Sequence, residues 1–454
     1  MSKAQLVPDP PSPGHSSYLT GDDGYDASET VALTGGYTRQ EERVLTRKLD
    51  LHILPIIFLL YAVAFLDRSN IGNAYTAGMK TELRISSSQY QWLLTIYYIT
   101  YLVLDTRSSY AVLSPKVLGT TMPLAWGLTS MLQAAAFNWQ GLMVARFFLG
   151  VFEASFIPGI ALFLSYFYPR YQYGLRFGIY VSAAALASSF AGALAYGIVH
   201  ALHLTVLLRR LLFIVEGLPT VLLVPVVYLL LPNSIKGCGF LTPRERDLAQ
   251  LRLRSSNSTE GDKQRKDEGG SGGIEWSQVL LSLCDPINYL SAAIFFIMNV
   301  TYGSLPVYLP TILNDAGFSS INAQGRCLSA PPYLAAWMSA IGFMFLSDRL
   351  RHRGLFVSFF SAMGGTGYVV LATCRGPWVR YGAIFLVAVS SHPQHKRTIS
   401  NGYLSWLSNN QVKESQRGAG LALFGVIGQC GPILGVRLYP ASEKPYYVRG
   451  SVSL

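Results

Sequence analysis

The sequence predicts an all-α membrane protein built as two six-helix bundles, with the twelfth transmembrane helix of that plan absent. Three observations lead there. Half of the 454 residues are hydrophobic and 13% are charged, whereas soluble domains carry about 25% charged residues. The apolar residues come in long blocks, among them Ile53 to Leu66, Trp92 to Leu104, Leu212 to Leu231 and Phe356 to Thr373, and not at the periods of two or 3.6 that mark half-buried elements. With polar extensions, such blocks approach the roughly 20 residues that a helix needs to cross a bilayer. One long hydrophilic stretch divides six blocks from five.

The spans fall near 52–74, 89–112, 117–137, 140–166, 175–199 and 208–231, then near 286–310, 327–347, 354–374, 378–404 and 416–438. The HPQHKR stretch at 392–397 reads as an interruption of the tenth. Residues 1–46, rich in Pro, Ser, Gly, Thr and Asp, read as a disordered cytoplasmic tail, and lack the apolar region of a signal peptide. The expected organisation is then a first bundle over 47–231, a linker over 232–285 and a truncated second bundle over 286–454. The linker holds a charged amphipathic piece around Pro243 to Arg254, followed by a run of Ser, Gly and mixed charges. Two halves of this kind are the layout of many secondary transporters.

The formal charge of +11 comes from Lys and Arg lying mainly between the apolar blocks. No basic stretch is interleaved with aromatics, so a nucleic-acid partner is not expected. Arg39, Arg43, Arg47 and Lys48 precede the first span, Arg170 and Arg176 separate the fourth and fifth, and Arg349, Arg351 and Arg353 follow the eighth. This bias puts the tail and linker in the cytoplasm. Five scattered cysteines show no CxxC spacing, and the histidines form no ligand-spaced pair on one face, so neither metal nor cofactor is expected. GxSxG, HExxH and a phosphate-binding loop are all missing, which argues against an enzyme.

The informative residues are charges inside apolar spans, since each is costly in hydrocarbon unless paired or facing water. Arg146 and Glu153 are seven apart in RFFLGVFEASFIPG, which places them on one helix face about 10.5 Å apart along the axis. Gly150 between them leaves room for the two side chains to meet. Their salt bridge would open for substrate or a proton, or else be permanently structural. In LDRSNIGNA, Asp67 and Arg68 point about 100° apart, and Arg68 is the candidate anion contact because a guanidinium offers several donors to a carboxylate. The alternative is that Asp67 and Arg68 form an end-of-helix pair at the interface. Glu216, a lone acid in FIVEG, would carry a coupling proton or, as the structural option expected here, pack against Arg209 or Arg210. Asn299 and Tyr302 could hydrogen-bond a substrate, or Asn299 could serve as interhelical glue. Asp348 and Arg349 in SDRLRHRG suit a gate latch. The small residues of SAAALASSFAGALAYG suit close helix packing.

At these residues the chain resembles the major facilitator superfamily, and within it the anion:cation symporters of the fungal allantoate and nicotinate permease-like branch. LDRSNIGNA, RFFLGVFEASFIPG, FIVEG, LSDRLRHRG and SWLSNN carry the resemblance, which extends from about Arg47 to the C-terminus. It implies substrate and coupling roles for Arg146, Gly150 and Glu153, matches Arg68 to the first-span arginine of those relatives, and implies carboxylate substrates taken up with protons. The chain departs from the family pattern at Asp105-Thr106-Arg107-Ser108-Ser109 after the second span, at Arg209-Arg210-Leu211 before FIVEG, and at HPQHKRTISNGY in the tenth span.

The resulting expectation is a monomeric plasma-membrane symporter of a small organic anion. Arg68 and Arg146 would hold carboxylate beside Asn299 and Tyr302, Glu153 would take the proton, and Asp67, Gly150, Asp348 and Arg349 would serve the gate or the framework. The alternative, set by the departures and the missing span, is a non-transporting sensor or an inactive truncated paralogue.

Overall fold

A computed structural model describes residues 38–108, 117–201, 205–253, 276–315, 318, 328–350, 353–397 and 414–439. These residues are helical apart from short turns. Helix α1 (Arg39–Ala74) starts at Thr38, whose hydroxyl accepts from the Glu41 amide while the Glu41 carboxylate accepts from the Thr38 amide. That reciprocal cap satisfies two otherwise orphaned donors. A π-helical turn, Tyr75–Met79, prolongs α1; it kinks at Gly78, whose φ of +115° a side chain would strain, and the helix runs on through Lys80–Glu82.

The next helices are α2 (Ser87–Ser108), α3 (Met122–Leu132), α4 (Trp139–Glu153), α5 (Phe156–Ser165), α6 (Arg170–Ala201) and α7 (Thr205–Leu230). The expected fourth span, 140–166, is broken at Ala154 and Ser155 into α4 and α5. Pro158 is the physical reason, because its ring crowds the Ala154 carbonyl four residues back and supplies no N–H to it. Between the halves lie α8 (243–253) and α9 (Trp276–Cys284). Thus helices occupy both ends of the expected linker. Then come α10 (Pro286–Asp315), α11 (Ala330–Leu350), α12 (Arg353–Thr373), α13 (Pro377–Arg397) and α14 (Glu414–Gln429), continued by α15 (Gly431–Gly435). Helix α13 runs unbroken through Arg397, so HPQHKR does not interrupt the backbone. The side chains of Asp348 and Arg349, residues 254–275 and residues beyond Tyr439 lie outside the described residues.

Among the described residues, five helical segments are long and apolar enough to cross a membrane: Gln40–Glu82, Trp139–Ser165, Gln172–Ala195, Arg210–Leu230 and Pro286–Asp315. Their outward faces are apolar, with Phe190, Leu222, Leu229 and Leu290 largely exposed, as befits surfaces meeting hydrocarbon rather than water. Inward faces use small residues. On α6, Ala183, Ala184, Ala187 and Ala191 are buried, and this helix packs on α1 and α11.

On the side of the α1 N-terminus, charged groups fasten α8 to the first helices. Arg176 donates twice to Asp50, at 2.7 Å each, and stacks over the Tyr168 ring. The buried Arg252 of α8 donates to Thr46 at 2.8 Å and to the Phe167 carbonyl at 3.2 Å. Arg244 pairs with Glu41, and Lys48 with Glu245. Slight burial works to raise the Glu245 carboxyl, but the Lys48 ammonium and the Thr242 bonds outweigh it and hold the group below its ordinary range.

Contacts between the N-terminal and C-terminal helices run from mid-helix to the far side. Tyr98 donates to the Gly303 carbonyl at 3.0 Å, the Tyr90 and Tyr308 rings meet edge to face, and Arg437 stacks over Trp92. The tightest backbone-to-backbone approach between them is α1 on α10, where a Cβ on Gly72 would clash with the Val307 carbonyl. That gap is backbone against backbone, so no rotamer can relieve it. Gly72→Ala is expected to hold the far side open: a cysteine placed at Ser188, which lines a small space with Asn73 and Pro310 beside this approach, should become more reactive to a membrane-impermeant maleimide applied from that side. Unchanged labelling would show that the α1–α10 approach does not seal it.

Candidate substrate site between the N-terminal and C-terminal helices

Where α1, α2 and α6 face α10, α14 and α15, the helices enclose a cavity of about 60 Å³. A single water needs roughly 10–15 Å³ on the same measure, so the space suits a small organic molecule. Its walls include six aromatic residues, with Tyr61, Phe65, Tyr98, Tyr101 and Phe177 on one side and Tyr302 on the other. Among the described residues lining it, Arg68 is the one that carries a fixed charge.

Arg68 is held from behind. Its guanidinium pairs with the Glu153 carboxylate at 3.2 Å and lies over the rings of Phe65, Tyr97 and Tyr101 at 5.1 to 5.8 Å. Glu153 is buried and outside the cavity wall, and its Oε2 also accepts from the Tyr97 hydroxyl at 2.6 Å. The Arg68 side chain keeps 14% exposure against 1% for Glu153. One guanidinium therefore touches both a sequestered acid and the cavity. Aromatic faces add cation–π attraction that is stronger out of water.

This pairing differs from the expected bridge between Arg146 and Glu153. The shared helix face does not point into the cavity; it is covered by α2, and Gly150 is used for that approach, since a Cβ there would lie 2.7 Å from the Tyr97 carbonyl oxygen. Gly150 thus serves packing and does not open space for the two side chains to meet. Arg146 sits behind Arg68, buried, and donates to the Arg68 carbonyl oxygen at 3.3 Å. It does not line the cavity, so the expected two-arginine clamp is reduced to Arg68.

Asp67 is fully buried in mid-helix, which removes the reading of an interfacial pair with Arg68. Its two oxygens accept from Ser130 at 2.6 Å and Thr220 at 2.8 Å, joining α1 to α3 and α7. Asn299 and Tyr302 both line the cavity. Asn299 also donates to the Gly428 carbonyl at 3.1 Å, so it ties α10 to α14, and the Tyr302 hydroxyl meets that of Tyr61 at 3.4 Å. Sequence reasoning missed Tyr61, Tyr97, Tyr98 and Tyr101. The signal was present in YYITY at 97–101, where 97 and 101 share a face.

Glu216 is buried, and neither of its oxygens has a hydrogen-bond partner among the described residues. The expected packing against Arg210 is not formed: that guanidinium stacks over Phe137 at 5.5 Å. Arg209's side chain lies outside the described residues.

The sequence model of the Major Facilitator Superfamily matches residues 57–436. The chain belongs to the major facilitator superfamily. It is 28% identical over 439 residues to the MFS-type transporter efuF of Hormonema carpetanum, covering 95% of this chain and 85% of that protein. It is also 28% identical over 422 residues to the high-affinity nicotinic acid transporter of Saccharomyces cerevisiae, covering 91% and 75% respectively. A solved structure of a D-xylose-proton symporter superposes with a TM-score of 0.63 at 12% identity, covering 89% of this chain and 95% of that one. The protein is accordingly a multi-pass membrane transporter of the facilitator fold and not an enzyme.

Within this facilitator, Arg68 has to serve an acid and the cavity together, which calls for a planar fork with several donors. Arg68→Lys should therefore lower substrate uptake at least about tenfold, as loss of a bidentate contact predicts, with surface expression retained. Full uptake through the lysine variant would show that a point charge suffices.

Proposed function

We propose that this transporter takes up a small organic carboxylate together with protons. The observation that carries the reading is the single guanidinium of Arg68, exposed to the cavity on one side and bound to the buried Glu153 on the other. A substrate carboxylate and the Glu153 carboxylate compete for its donors. Protonating Glu153 removes its charge and releases Arg68 to the substrate; deprotonation draws Arg68 back and favours release. Breaking a buried ion pair by removing one partner costs about 3–5 kcal/mol, enough to make substrate binding strongly dependent on that proton.

The aromatic walls favour a flat apolar ring attached to the carboxylate, which agrees with the nicotinic acid named for one relative. Asn299 and Tyr302 would fix its polar edge. Arg146 orients Arg68 through its carbonyl, while Asp67 and Gly150 hold the framework. In this reading 47–231 and 286–454 are the two moving halves and 232–285 connects them. The linker side is cytoplasmic, the far-side contacts form the closed outer gate, and the protein resides in the plasma membrane.

Cells expressing the chain should accumulate labelled nicotinate faster at acidic than at neutral external pH, and a protonophore should abolish the difference. Glu153→Gln should retain exchange of labelled for unlabelled nicotinate but lose accumulation against a gradient. If protein at the cell surface moves no carboxylate at either pH, the non-transporting reading replaces this one.

A further inference from the structure

Glu216 takes no part in the cavity, yet its setting is specific. Helix α7 lies against α1, with Thr220 donating to Asp67 at 2.8 Å and Asn70 donating to the Leu212 carbonyl at 3.3 Å. Residues 212, 216 and 220 lie one turn apart on one face of α7. Glu216 therefore faces the step between Asp67 and Asn70 on α1. Helix α3 closes the same space, with Gly127 packed on Thr220 and Met131 on Gly217.

Asp67, Asn70 and Glu216 are each fully buried. Both Asp67 oxygens are occupied by hydroxyl donors. Among the described residues, three acceptors in this space have no donor: Asn70 Oδ1 and the two oxygens of Glu216. An ionised carboxylate without a donor is among the costliest groups to bury. One added proton changes the balance, because the Glu216 acid can donate to an acceptor, and Asn70 Oδ1 is the one left vacant by other donors. The other charged groups that face Glu216 are Asp67 from α1 and Arg146 from α4. Arg146 forms no ion pair with it among the described residues: its Nη1 donates to the Arg68 carbonyl, and its Nε and Nη2 meet no acceptor there. Helix α3 and the turns Val117–Thr121 and Gln133–Ala135 contribute no ionisable side chain to it. The Tyr75–Met79 turn contributes Tyr75, which stacks on Tyr90, and on α6 Arg176 is engaged with Asp50.

We propose that Glu216 is a second proton-carrying site, lying behind the substrate cavity and separate from Glu153, in which its carboxylic acid donates to Asn70. Its role in transport rests on the proton-coupled reading above, but its occupancy does not require substrate. A proton held between α1 and α7 links the ion-pair helix to a helix with no share in the cavity wall. Loading it would steady the α1–α7 packing while Arg68 changes partners.

The test is made on purified full-length protein without any carboxylate substrate. Thermal unfolding is followed from mildly acidic to mildly alkaline pH for the wild type and Glu216→Gln. At acidic pH the folded and unfolded chains both hold the proton; as pH rises the unfolded chain releases it first, so the wild type loses stability with rising pH. The glutamine amide replaces the acid O–H as donor, so that loss should shrink by a few degrees in the variant. Parallel curves would overturn the proposal, as would a uniform destabilisation at every pH, the result for a charged counter-ion of Arg146. A difference that follows Na⁺ in place of choline, and not pH, would overturn it too. Should the variant not fold, a carbodiimide, which attacks protonated buried carboxyls, is applied to the wild type. Mass spectrometry should find an adduct on Glu216 that declines with pH, and its absence at acidic pH would reject the site.

Discussion

The arrangement depends on one ion pair held in an environment that would otherwise expel both partners. Arg68 and Glu153 lie 85 residues apart on different helices, and they meet at 3.2 Å with Tyr97 donating to the same carboxylate oxygen. In a low-dielectric interior neither charge is stable alone. The pair therefore fixes where α1, α2 and α4 stand relative to one another, and any event that neutralises one partner frees the other.

That constraint explains the surrounding packing. The close approach of α2 to α4 needs a residue without a side chain at Gly150, and the seal of α1 against α10 needs another at Gly72. Both positions place backbone against backbone, where helices in a membrane gain most of their association energy. The aromatic residues fill the remaining space and give the Arg68 guanidinium faces to rest on. Asp67, one residue away from Arg68, is rotated away from the cavity and is fully engaged with Ser130 and Thr220. Two adjacent charged residues thus serve different layers of the molecule because a helix turns about 100° per residue.

The helices and the fold class were legible because a membrane demands long apolar runs whatever their partners are. Individual charges such as Arg68, Glu153 and Glu216 were legible as exceptions within those runs. Their partners were not. A heptad spacing joined Arg146 to Glu153 on one face of α4, but that face is covered by α2, and Arg68 from another helix reaches Glu153 first. Tyr61, Tyr97 and Tyr101 were overlooked because a tyrosine in an apolar block is equally at home in lipid contact, in a core or in a binding wall. The break at Ala154 was written in Pro158, yet the hydropathy of the segment is uninterrupted across it.

By itself, then, the sequence determined that this chain is a membrane-embedded helical transporter and which buried charges it must accommodate, since hydropathy and the cost of burying charge are properties of residues one at a time. Only the tertiary structure decided which charge neutralises which, that Arg68 and not Arg146 reaches the cavity, and that Glu216 is buried where α7 packs on α1. Those outcomes depend on the rotation and register of helices distant in sequence, and periodicity along one helix carries no information about either.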